Sequence, residues 1–129
     1  MPTVKAVIKS AFKLASIVAE GETLTAEQES DGVTQFNDML HAWKNQAIPL
    51  EHVTLTVNDA VPYPDDHIEP IKYNLAVKLA AEYDAPIDQL KIILAAQGLE
   101  GLRDYYSQPG LLSVDPALSP YYSSNRRYS

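Results

Sequence analysis

The chain has 129 residues, no cysteine and a formal net charge of −7 at pH 7. This length predicts one domain with a sizeable core, and the lack of cysteine excludes a disulfide framework and a thiolate-bound metal. An acidic protein repels a phosphate backbone, which argues against general nucleic-acid binding. No apolar run approaches the ~20 residues of a membrane span, and lysines interrupt residues 4–18, where a signal peptide would lie. We therefore expect no association with a membrane.

The first helix is predicted over residues 4–19. Thr3 has the hydroxyl side chain typical of an N-cap, and the apolar residues after it recur at spacings of three and four. Gly21 is expected to end the helix. A row of three lysines beside the apolar face indicates either a solvated surface or a contact with phosphates or an acidic partner.

The longest predicted element is a central helix within residues 25–49, and we expect the rest of the chain to be organised around it. Thr25 and Gln28 fit a capping box, in which each side chain accepts the other residue's backbone N–H. Pro49 ends the pattern, because proline disfavours helix in the residue before it. The apolar stripe of this helix comprises Val33, Phe36, Leu40, Trp43 and Ala47.

A short β excursion is predicted over residues 52–63. The first half alternates and is rich in β-branched residues, and Asn58-Asp59 is a turn signal. Pro62 confines the returning segment to an edge. Two short strands are marginal alone, so this excursion is expected to pack on the helices or to pair with another chain.

A third helix is predicted over residues 66–83, with Asp65 or Asp66 as its N-cap. Apolar residues lie on two of its sides, so we expect it to be covered on both. Asn74 is interpreted as a structural hydrogen-bonding residue on this largely apolar helix. The main stripe comprises Ile68, Ile71, Leu75, Leu79 and Tyr83.

A fourth helix is predicted from Pro86 onwards. Gly98 and Gly101 weaken its pattern, which predicts a kink or an early end near Gln97. The predicted fold class is thus mainly α: a small bundle of about four helices with a short β excursion and an extended C-terminal tail. The apolar set of the fourth helix comprises Ile87, Leu90, Ile93, Leu94, Leu99 and Leu102.

The composition changes at Ser107. Residues 107–129 have three prolines, no helical period and one acidic against two basic side chains, which leaves residues 1–106 with a net charge of −8. The tail is richer in tyrosine and leucine than a solvated linker. We interpret it as an arm that becomes ordered on a partner, and the alternative is a disordered terminus.

No residue pattern predicts a catalytic, cofactor-binding or metal site. The three histidines lack the helical spacing that presents two imidazoles to one metal, and no glycine-rich loop or nucleophile elbow occurs. The densest acid/base cluster is the run from Asp65 to Glu69. Its carboxylates can in principle cleave a glycosidic bond, but helix capping explains the aspartates more simply.

Three segments occur in an order that resembles a known family. They are Phe36-Asn37-Asp38-Met39-Leu40-His41-Ala42-Trp43 with Ile48-Pro49; Val53–Val57 leading to Tyr63-Pro64-Asp65-Asp66-His67-Ile68-Glu69; and Tyr73-Asn74-Leu75-Ala76 with Leu79-Ala80 and Glu82-Tyr83. This order resembles the head-to-tail adaptors of tailed bacteriophages, also called tail accessory factors or packaged-DNA stabilisation proteins. The similarity covers about residues 4–106.

The resemblance implies a non-enzymatic virion protein without a cofactor. A helical adaptor domain, residues 1–106, would form a ring of about twelve copies under the portal protein and bind other tail or neck proteins. DNA would pass through the ring without sequence-specific binding. The protein would act at the head-tail junction, after assembly in the host cytoplasm.

The resemblance also assigns roles to residues. Residues 107–129 would be an extended docking arm for the portal, with contacts expected from Leu111, Leu112, Tyr121, Tyr122, Arg126, Arg127 and Tyr128. Asp65 and Asp66 would begin the third helix. Residues expected to support the fold and the contact between subunits are Phe36, Leu40, Trp43, Tyr73, Leu75 and Leu79.

Two other functions stay open at this point. One is a small peptidoglycan hydrolase that uses Asp65, Asp66 or Glu69. The other is a helical interaction module that binds some other host protein. Neither has a specific motif in the sequence to support it.

Overall fold

The computed structural model describes residues 1–107, which form a bundle of four helices. The helices are α1 (Val4–Leu14), α2 (Ala26–Ala42), α3 (Asp65–Glu82) and α4 (Gln89–Ser107), and a 3₁₀ turn (Trp43–Gln46) follows α2. The mainly α prediction is confirmed. The predicted arm contacts Leu111, Leu112, Tyr121, Tyr122, Arg126, Arg127 and Tyr128 lie outside the described residues.

The centre of the bundle is α3, and not α2 as the sequence predicted. It packs against each of the other three helices. Ile71, Leu75 and Leu79 are completely buried, and Ala76 is buried on an adjacent side. The expectation that this helix is covered on two sides is therefore confirmed, and its apolar residues surround more of the helix than one stripe.

The first helix is capped as predicted but ends earlier than predicted. The backbone N–H of Ala6 donates to Thr3 Oγ1 over 3.1 Å. After Leu14, Ser16 adopts a left-handed φ of 60°, and its N–H donates to the Lys13 carbonyl. The N–H of Ile17 donates to the Phe12 carbonyl over 3.0 Å, which completes a Schellman motif. The expected stop at Gly21 is wrong because a serine takes the position that glycine usually occupies.

The capping box of α2 is confirmed. Gln28 N–H donates to Thr25 Oγ1 over 3.1 Å, and Thr25 N–H donates to Gln28 Oε1 over 3.0 Å. The regular helix ends at Ala42, and the 3₁₀ turn then brings Ala47 to a left-handed φ of 67°. The helical segment thus ends before Pro49.

The predicted β excursion forms no strand within residues 1–107. An isolated antiparallel bridge joins Thr3 to Ala60, and the N–H of Val4 donates to the Asp59 carbonyl over 2.9 Å. The N–H of Val61 donates to the Pro2 carbonyl. The segment therefore lies against the start of α1, as expected of a segment that leans on the helices, and its polar groups bond there instead of to a second strand.

The starts of α3 and α4 differ from the predictions. Pro64 is the N-cap of α3 and makes no side-chain cap, while Asp65 and Asp66 lie in the first turn, where the helix dipole favours negative charge. The predicted capping role of these two aspartates is therefore wrong. The fourth helix begins at Gln89 and continues past Gly98 without the predicted early end.

Helix length and hydropathy also bear on the membrane prediction. None of the helices in the described part of the chain combines the length and the apolar character needed to cross a membrane.

Candidate interaction surface

The outer side of α4 exposes large apolar side chains. Leu90 is 59% exposed, Ile93 44% and Leu94 38%. The sequence analysis placed all three in the apolar set of this helix, and the bundle leaves them exposed. The helix packs on the bundle through its opposite side, where Ala95 and Leu102 are buried. We call the surface formed by Leu90, Ile93 and Leu94 the α4 apolar face.

A groove runs between the start of α3 and the middle of α4. It consists of two adjoining depressions with volumes of ≈ 460 and ≈ 230 Å³. Among the described residues, no lysine or arginine lines either depression. Three carboxylates thus lie beside an otherwise largely apolar lining, with no lysine or arginine of the described lining to neutralise them. We call this the α3–α4 groove; its lining includes Pro70, Gly98, Gly101, Leu94, Tyr73 and Tyr105, and its carboxylates belong to Asp65, Asp66 and Glu69.

Close approach of the two helices forms the floor of the groove. A Cβ on Gly98 would lie 3.1 Å from Pro70 Cβ and 3.2 Å from Pro70 Cα. Asn74 Nδ2 donates to the Pro70 carbonyl over 2.8 Å and to the Ala95 carbonyl over 3.0 Å, which ties α3 to α4. The structural interpretation of Asn74 is thus confirmed, and Gly98 is needed for helix contact instead of a kink.

A buried histidine closes one end of the groove. His67 is 1% exposed, and its Nδ1–H donates to Asp66 Oδ1 over 2.9 Å because a carboxylate only accepts. Its Nε2 lies 2.8 Å from the hydroxyl oxygen of Tyr106. Burial, with added contributions from Tyr105 and Asp66, raises the pKa of Tyr106. The hydroxyl is therefore neutral near pH 7 and is not an activated nucleophile, although the order carboxylate–imidazole–hydroxyl has the form of a catalytic relay.

A second polar cluster holds the segment after Pro49 against α2. Asn37 Oδ1 accepts from His52 Nε2 over 2.7 Å and from the Leu55 N–H over 3.0 Å, while Asn37 Nδ2 donates to the Leu55 carbonyl over 2.9 Å. The hydroxyl of Tyr63 donates to His52 Nδ1. Asn37 Nδ2 also donates to the Val33 carbonyl over 3.1 Å, so the side-chain polar atoms of Asn37 and His52 are all used in holding the fold.

The environment of this cluster keeps its groups neutral. Burial is the main cause that lowers the pKa of His52 to about 4, and nearby His41 adds to it. Burial likewise raises the pKa of Tyr63 to about 12. Asn37 was missed by the sequence analysis, and the available signal was a polar residue directly after Phe36, on the side of α2 that faces the bundle.

The residues predicted for fold and subunit contact fall into two groups. Phe36, Leu40, Trp43, Leu75 and Leu79 are at most 2% exposed and form part of the core. Tyr73 is partly exposed and lines the α3–α4 groove. The burial of the first five residues fits their predicted role in the fold. The role in subunit contact stays a prediction, and of the six residues only Tyr73 is exposed enough to make such a contact.

The carboxylates proposed for a hydrolase lie in the open. Asp65, Asp66 and Glu69 are all exposed at the groove, whereas glycosidases enclose their acid in an apolar pocket. Within residues 1–107, no three His, Asp or Glu side chains, these carboxylates included, are arranged so that they could hold a metal ion. The groove is therefore suited to binding, because it presents apolar surface next to negative charge.

Comparisons with known proteins do not assign the chain to a family. No protein-family model matches it, and no curated protein is significantly similar to it in sequence.

Proposed function

We propose that this protein is a structural head-to-tail adaptor of a tailed phage. The α4 apolar face is the observation that supports this function best. Large exposed side chains on consecutive turns of one helix are costly in water and typical of a surface that another protein covers. An adaptor needs such a surface, and it needs no catalytic site.

In this proposal the protein forms a ring and acts as a structural protein. The α4 apolar face meets the neighbouring copy, so that each added subunit buries Leu90, Ile93 and Leu94. Burial of apolar surface contributes roughly 25 cal/mol per Å² before the costs of association.

The remaining parts of the proposal rest on the resemblance to the head-to-tail adaptors, with support from the charge of the body and the position of the arm. The ring, of about twelve copies, lies under the portal protein at the head-tail junction of the virion and binds tail or neck proteins on its other side. The docking arm, residues 107–129, contacts the portal. A body with a net charge of −8 lets DNA slide through the ring without binding to its wall.

Assembly on the portal tests this function. Purified protein mixed with its cognate portal ring should give a larger complex in sedimentation and an added ring in negative-stain images. The double variant Leu90→Glu, Ile93→Glu should keep its helical circular dichroism but fail to form the ring. Val53→Glu is a matched control, because Val53 is 73% exposed on the segment between α2 and α3.

Two outcomes would count against the proposal. Absence of any complex with the cognate portal would overturn the adaptor function. Ring assembly by the double variant at the same protein concentration would remove the α4 apolar face from the subunit contact. Deletion of residues 107–129 separates an adaptor from a general interaction module, since an adaptor should keep its fold and lose the portal.

A further inference from the structure

We propose that the α3–α4 groove binds the C-terminal segment of the same chain, residues 121–128. The proposed function gives this segment a role on the portal but leaves the groove without an occupant. The inference goes beyond that function, because it concerns the protein before any partner is present.

The chemistry of the groove and of the segment is complementary. The groove combines apolar and aromatic side chains with the carboxylates of Asp65, Asp66 and Glu69. The segment reads YYSSNRRY, with three tyrosines, two arginines and no acidic residue. Arginine pairs with carboxylates through two parallel hydrogen bonds, and tyrosine contributes apolar area with a polar end.

The path of the chain makes the same-chain contact possible. Tyr105 lines one end of the groove, two residues before Ser107, and Leu94 lines the other end. The groove therefore follows about 16 Å of α4, at 1.5 Å per residue. Residues 108–120, when extended, reach roughly 40 Å, which is enough to return Tyr121 to either end.

Attachment to the same chain favours this occupant over a second copy. A short connection within one chain gives the segment an effective concentration in the millimolar range near the groove. A segment of another molecule reaches that level only at millimolar protein. In the proposed adaptor, the portal and the groove would then compete for the same residues.

Disulfide trapping in the full-length chain tests the contact. The chain has no cysteine, so a disulfide between two introduced cysteines can be detected without interference from other thiols. Gln97 lines the groove and is exposed, and we pair Gln97→Cys with Tyr128→Cys. The control pairs Thr34→Cys, on the exposed surface of α2 away from the groove, with Tyr128→Cys.

We expect the groove pair to form a disulfide within one chain at least about tenfold faster than the control pair, as judged by non-reducing electrophoresis and mass spectrometry. Equal rates for the two pairs would overturn the proposal. Disulfides that form only between chains would overturn the same-chain placement.

A charge exchange tests the chemistry of the contact. Glu69→Lys should slow the disulfide of the groove pair several-fold, and a one-for-one charge exchange, Arg126→Glu or Arg127→Glu, should restore part of the rate in that background. Asp38→Lys, an equal charge change on α2, should leave the rate unchanged. A rate insensitive to Glu69→Lys would overturn the pairing. The portal is absent from these experiments, so their failure leaves the adaptor function standing, and a failure of portal binding leaves their result standing.

Discussion

His67, in the first turn of α3, is joined to Tyr106, near the described end of α4, by a hydrogen bond of 2.8 Å between Nε2 and the hydroxyl oxygen. The two residues are 39 positions apart in the chain. Their rings also meet edge to face, with centroids 5.6 Å apart. This contact and the bonds of Asn74 fix the spacing of α3 and α4, and with it the width of the α3–α4 groove.

Loss of the Tyr106 hydroxyl should destabilise the fold. Tyr106→Phe leaves the ring nitrogen of buried His67 without its partner, which we expect to lower the free energy of unfolding by about 1–3 kcal/mol. Urea unfolding followed by circular dichroism measures the change. Tyr105→Phe is the control, because its ring is partly exposed and its hydroxyl makes no hydrogen bond to any of residues 1–107. Equal effects of the two substitutions would show that the His67 contact is not the cause.

Two glycines of α4 should respond to alanine with opposite signs. A Cβ at Gly98 meets Pro70 at 3.1 Å, so Gly98→Ala must push the helices apart, and we expect a loss of about 1–2 kcal/mol in the free energy of unfolding. At Gly101 a Cβ meets no atom of the described part of the chain within 4 Å. Gly101→Ala should therefore stabilise the helix by about 0.5–1 kcal/mol. Thermal or urea unfolding measures both, and stabilisation by Gly98→Ala would refute the close approach of α3 and α4.

The His52 cluster should make stability depend on pH. The pKa of His52 is about 4 in the folded chain and 6.5 when unperturbed, so the unfolded chain binds the proton more readily. This contribution to stability is fully present above pH 6.5 and is lost as the pH falls towards 4. Because solvent screens a side chain that is only partly buried, we expect on the order of 1 kcal/mol.

The measurement is the free energy of unfolding at pH 7 and pH 4.5. The decrease between the two should be smaller in His52→Gln than in the wild type. His41→Gln should retain most of the decrease, since burial is the larger cause of the lowered pKa. An unchanged decrease in His52→Gln would assign the pH dependence to other groups.

Trp43 and Leu90 should differ in their effect on stability. Trp43 is 2% exposed, so Trp43→Ala should cost about 3–5 kcal/mol through lost burial and a remaining cavity. Leu90→Ala should change the monomer's stability by no more than about 0.5 kcal/mol. Urea unfolding at low protein concentration measures both values. A near-neutral Trp43→Ala would place the indole at the surface.

The local signals in the sequence predicted the starts of α1 and α2 well, but not those of α3 and α4. Thr3 and Thr25 cap α1 and α2 as expected, because a hydroxyl at that position bonds to an N–H only three residues away. The buried stripe of α3 was also predictable, since a helix with apolar residues on several sides must be covered. Each of these outcomes depends on neighbours within one or two turns.

The ends of helices were harder to predict. Ser16 and Asp84 both adopt left-handed φ values, 60° and 54°, where glycine is the usual residue. Hydrogen bonds back into the preceding helix accompany both, as in the bond from the Ala85 N–H to the Ala80 carbonyl. Packing of the residues that follow offsets the free-energy cost of the left-handed conformations. The sequence around Ser16 and Asp84 does not reveal that packing.

By itself, the sequence determined the helical class, the capped starts of α1 and α2 and the acidic, cysteine-free composition, because these follow from residue type and short spacing. The tertiary structure decided which apolar face is buried. Leu94 and Leu102 belong to the same pattern, yet α4 approaches α3 through Ala95 and Gly98, so Leu102 enters the core and Leu94 faces water. Periodicity identifies an apolar residue, but only the approach of a second helix removes it from solvent.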